Sequence, residues 1–106
     1  MVTGVTVVRR EFLEKNKKAV ESFVEDHQVS TGAINEDAVT GAVYVVKRGI
    51  IAKEPVAQKA IPKCNITCMT GVEMKQALEY YLKVLYEQSP ESVGGALPQE
   101  DFYYVP

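Results

Sequence analysis

Residues Gly4 to Arg10 read GVTVVRR, and whether they form a strand decides the class of the domain. Val5, Thr6, Val7 and Val8 are β-branched in succession. Such side chains lose rotamer freedom in a helix and pack well on a pleated surface, so the stretch predicts a strand from Gly4 to about Arg9. Everything after it reads mainly as helix. The expectation is therefore a helix-rich α+β domain, about four helices with one or two short strands.

The helix signals differ in clarity. In REFLEKNKKAVESFVEDHQVSTGAINED, Phe12, Leu13, Val20, Phe23, Val24 and Ile34 recur at helical spacing, with Lys17, Lys18, Glu21 and Glu25 on the opposite side. EDAVTGAVYVVKRG is ambiguous, since its valines favour a strand. Val39, Ala42, Val43 and Val46 nevertheless share one helical face, Asp37 can cap the start, and Lys47, Arg48 and Gly49 suit the end, so we read it as a helix. EPVAQKAIP predicts a short helix, with Pro55 in the first turn and Pro62 as the stop, and CNITCM a brief extended segment. In TGVEMKQALEYYLKVLYEQSP, Thr70 and Glu73 have the spacing of a reciprocal cap. The stripe Met74, Ala77, Leu78, Tyr81, Leu82 and Leu85 reads as core, and Pro90 ends the helix. Phe102, Tyr103 and Tyr104 close the chain, and rings of that size are expected to dock rather than stand in water.

Composition narrows the function classes. The 106 residues are 46% hydrophobic and 25% charged, with a formal net charge of -2. That size suits a single domain, and that charge supplies no field for nucleic acid or an anionic membrane. No apolar run approaches the ~20 residues of a spanning helix, and the first residues lack an export signal's pattern. Cys64 and Cys68 are separated by three residues, which misses the spacing of thiol redox sites. On an extended segment they would stand about 13 Å apart, too far for a disulfide, and they read as small buried hydrophobes. His27, the only histidine, falls on an apolar stripe and reads as a packed or half-exposed side chain. Glu25 with Asp26, and Glu36 with Asp37, read as a helix surface and a cap. No catalytic, metal or cofactor constellation emerges, so the expectation is a non-enzymatic protein without a cofactor.

A resemblance extends this reading across nearly the whole chain. The strand followed by Arg10-x-Phe12-Leu13-x-x-Asn16, and a helix bearing Val20 and Phe23, is similar to the C-terminal part of the solute-binding proteins of ABC importers. The group in question includes the nitrate, sulfonate, taurine and thiamine-precursor binders. NEDAVTGAVYVVKRGII resembles that family's next helix. Ile61-Pro62-x-Cys64-Asn65, Thr70-Gly71-x-Glu73-Met74, Leu85-Tyr86, Ser92-Val93-Gly94-Gly95, Pro98 and Phe102-Tyr103-Tyr104 resemble its closing segment.

The resemblance implies a segment of one lobe of a two-lobed, periplasmic-binding-protein-like (type II) α/β fold, from a considerably longer parent that carries an export signal. The parent would be extracytoplasmic, capture a small solute by lobe closure and deliver it to a membrane permease. No ligand-contacting residue carries over by position. Tyr80, Tyr81, Phe102 and Tyr103 are candidates through their aromaticity alone. The tail is then a clamp on the lobe's helices. An isolated chain is expected to form a homodimer through its unpaired strand, or by exchange of that strand or the tail. The alternative is a self-standing interaction or oligomerisation module.

Overall fold

The computed structural model describes all residues, 1–106. It holds five α-helices: α1 (Arg10–Lys15), α2 (Lys17–Glu36), α3 (Ala38–Lys47), α4 (Glu54–Ala60) and α5 (Gly71–Gln88). Short 3-10 turns follow at Ile61–Lys63, Pro90–Val93 and Glu100–Phe102. There is no strand, so the fold is all-α and the expected α+β class is wrong. Residues 1–9 adopt no regular structure. The reason is the missing neighbour. β-Branched residues favour a pleated, half-buried surface that a second strand must complete, and a lone strand has no ladder to join. The other segment expected to be extended, CNITCM, supplies none: Asn65 turns its backbone to φ 50°, and residues 65–70 are irregular.

The chain divides into two compact units, residues 10–68 and residues 1–9 with 69–106. In the first, the long helix foreseen from Arg10 is interrupted at Asn16. The Asn16 amide group and backbone N–H both donate to the Phe12 carbonyl, at 3.1 and 2.9 Å, while the Asn16 carbonyl accepts from Ala19 and Val20 to start α2. Asp37 alone joins α2 to α3. Its N–H closes α2 on the Ala33 carbonyl, and its carboxylate caps α3 by accepting from the Thr40 amide (3.0 Å) and the Thr40 hydroxyl (2.7 Å). α3 ends in a Schellman turn: Gly49, at φ 72°, donates to Val46 and Ile50 donates to Val45.

The core of this unit is small. Ala42 and Ala57 are fully buried and Ile61 nearly so, with Ile34, Ala38, Val45, Ile51 and Ile66 packed around them. Alanines on both α3 and α4 let those helices approach closely. The buried face of α3 is Ala38, Gly41, Ala42 and Val45, not the expected Val39, Ala42, Val43 and Val46. Val39, at 60% exposure, and Val43, at 43%, face solvent. Valine content marked one apolar face of α3, whereas close packing selected the face with the smaller residues.

In the second unit α5 starts at Gly71 after Thr70, as the sequence indicated, but the reciprocal cap does not close. Thr70 occupies the N-cap with extended backbone, yet its side chain makes no capping bond. Gly71 sits at φ 60°, so the first turn begins left-handed and carries the amides away from the position the Thr70 hydroxyl would need. The expected core stripe of α5 is half-buried along its length and no residue of the helix is fully buried.

Candidate functional site

Two local arrangements gather polar or aromatic side chains, one in each unit. On α2, Gln28, Thr31 and Asn35 fall on one helical face. With Gly32 they form one wall of an open cleft of about 250 Å³, and Ile66, Thr67 and Cys68 form the other. Asn35 fixes that second wall: its side-chain amide donates to the Ile66 carbonyl at 2.8 Å, across 31 residues of sequence. The Thr31 hydroxyl lies within reach of the His27 and Gln28 carbonyls, so its proton is directed into its own helix. The left-handed Asn65 turns the chain just before this wall. The cleft is smaller than the ~300–1,000 Å³ of ordinary ligand pockets and is polar where those are mainly apolar.

The second arrangement is the docked tail. Tyr103 is buried beside Lys75 and Glu79 of α5, and its ring meets Phe102 edge to face at 5.2 Å. Lys75 pairs with Glu100 of the last 3-10 turn and stands 3.8 Å from Glu79. Its hydrogen bond to Glu100 is the main reason its pKa lies above the ordinary lysine value. Burial, with Glu79 next in weight, raises the Tyr103 pKa above the usual phenol value. The expected docking of the tail therefore rests on Tyr103, while Phe102 remains exposed.

The aromatic candidates do not form one site. Tyr80 is exposed and Tyr81 half-buried on α5, and the only ring pairs are Phe102 with Tyr103 and Phe23 with His27. His27 is exposed against the Phe23 edge at 5.8 Å, not seated in a core. Cys64 is exposed and Cys68 half-exposed, both free thiols. Reading them as buried hydrophobes is corrected, because the irregular backbone around Asn65 leaves Cys64 outside the helical packing. No group of three His, Cys, Asp or Glu side chains is placed to hold a metal ion. No helix is long and apolar enough to cross a membrane.

The α2 cleft and the Lys75–Glu100 pair went unseen in the sequence. The polar spacing of Gln28, Thr31 and Asn35 was available as a signal. Nothing local announces a partner for Lys75 that lies 25 residues away.

No family model, curated protein or solved structure matches the chain.

Proposed function

We propose that this chain is the closing segment of an ABC importer's solute-binding protein, non-enzymatic and without a cofactor, from a parent that works outside the cytoplasm and hands a small solute to a membrane permease. The reading rests on the motifs from Ile61-Pro62 through Phe102-Tyr103-Tyr104 that resemble that family. The observation that carries it is the state of residues 1–9. Val5, Thr6, Val7 and Val8 are β-branched, join no strand and leave Val5 and Val7 exposed, apolar surface that a longer parent would cover.

Surface area supports the same reading. The chain exposes 8455 Å². Two wholly separate compact units sharing its 11.7 kDa would together expose only about 7,100 Å². The exposed surface thus exceeds that of compact units of this mass, however the two units are disposed. In the proposed parent, the rest of the lobe covers residues 1–9 and the half-buried stripe of α5. The α2 cleft is too small and too open to surround a solute alone.

Titration calorimetry tests this. The isolated chain is expected to give no binding heat with nitrate, taurine, an alkylsulfonate or a thiamine-precursor pyrimidine, and micromolar binding of any of them would overturn the reading. Reading the coding sequence on the 5′ side of the Met1 codon is a second test, expected to continue into lobe sequence and an export signal.

A further inference from the structure

The outer face of α3 is neither core nor polar surface. Between Asp37 and Lys47 the helix carries no charged residue. Its inner face, Ala38, Gly41, Ala42 and Val45, packs in the unit's core, while Val39, Val43 and the half-buried Val46 lie on the other side. Ile50, just past the Schellman turn, is 71% exposed as well. Within the helix, Val39, Val43 and Val46 are spaced four and three residues apart, the repeat of a helix-pairing seam. An apolar helix face is normally covered.

We propose that this face pairs with the same face of a second copy, the two α3 helices running antiparallel about a two-fold axis. Charge favours that occupant and that direction. Glu36 and Asp37 stand at the N-terminal end of α3, and Lys47 and Arg48 at its C-terminal end. In an antiparallel pair each acidic end meets the basic end of the other copy, and the helix dipoles oppose favourably. A parallel pair would set like charges together at both ends. The seam lies wholly in the unit of residues 10–68, so the inference does not rest on the solute-binding reading, which concerns the cover over residues 1–9 and α5.

Light scattering after size exclusion, on the full chain at micromolar to sub-millimolar concentration with reductant, tests the pairing. Twice the 11.7 kDa chain mass is expected. Val43→Glu should weaken the dimer at least about tenfold with helix content retained by circular dichroism, and Val43→Leu should keep it. Should Val43→Glu unfold the chain, the exposed pair decides. Lys47→Glu with Arg48→Glu should weaken association most at low salt, and adding Glu36→Lys should restore it. A monomeric mass overturns the proposal. So does a dimer that survives Val43→Glu, is indifferent to the charge reversal, or is lost only when Val7→Pro disrupts strand pairing of residues 1–9.

Discussion

Gly41 of α3 faces Ile34 of α2 so closely that a β-carbon on the glycine would stand 2.7 Å from Ile34 Cγ1. That approach lets the single residue Asp37 turn the chain between two helices, and it brings Ala42 into the core with Ala57 and Ile61.

Gly41→Ala should therefore destabilise the unit, although alanine is the better helix former. Overpacking at such a contact costs ~1–3 kcal/mol, against a propensity gain of ~1 kcal/mol, so a net loss of about 1 kcal/mol is expected in denaturant unfolding. In an Ile34→Ala background the penalty of Gly41→Ala should disappear, because the clashing atom is gone. A penalty that persists there would place the strain elsewhere.

Gly71→Ala should also destabilise, by about 1–2 kcal/mol, because a side chain at φ 60° strains the backbone before α5. Loss of helix content together with a lowered midpoint is the expected reading. An unchanged midpoint would mean that α5 can begin right-handed, with the Thr70 and Glu73 cap closing as the sequence suggested.

The Asp37 cap makes α3 sensitive to acid. Hydrogen bonds from the Thr40 hydroxyl, then from the Thr40 amide, hold the Asp37 pKa below its ordinary value of 3.8. Its contribution is complete above that unfolded value and is lost as pH falls through the lower folded one. Helicity followed during acid titration should show this loss, and Asp37→Asn, which still caps but cannot titrate, should abolish that part of the transition.

The docked tail should be sensitive to alkali. Lys75, raised chiefly by its hydrogen bond to Glu100, and Tyr103, raised chiefly by burial, both have folded pKa values above their unfolded ones of 10.5 and 10.0. Their stabilisation is complete below those values and declines as pH rises from the unfolded toward the folded pKa. Limited proteolysis of residues 99–106 should accelerate above about pH 10, the unfolded phenol value. Tyr103→Phe should shift that onset, whereas Tyr80→Phe, on the exposed side of α5, should not.

Helices were legible where side chains act locally. The Asp37 cap with Gly49 at the far end, Pro55 in the first turn of α4, and the start of α5 after Thr70 are each decided within a few residues, and each stands as read. What failed depends on residues far away. The β-branched run Val5 to Val8 carries strand propensity, but a strand exists only when another strand accepts its hydrogen bonds, and none of the 106 residues does so. The orientation of α3 was misread because both its faces are apolar, and alanine and glycine, weak in hydrophobicity, won the close contact. The α2 cleft needed the pairing of Asn35 with Ile66, which no local pattern specifies.

Hydrogen–deuterium exchange of the isolated chain tests most directly the central claim that residues 1–8 find no backbone partner among these residues and leave apolar surface for a longer parent to cover. The amides of Val5, Thr6, Val7 and Val8 should exchange at the rate of an unstructured peptide at every protein concentration, while those of α3 and α5 are protected. Protection of Val5 to Val8 comparable to that of the helices would contradict the account, because those backbone groups would then have found their partners within the chain or in a second copy.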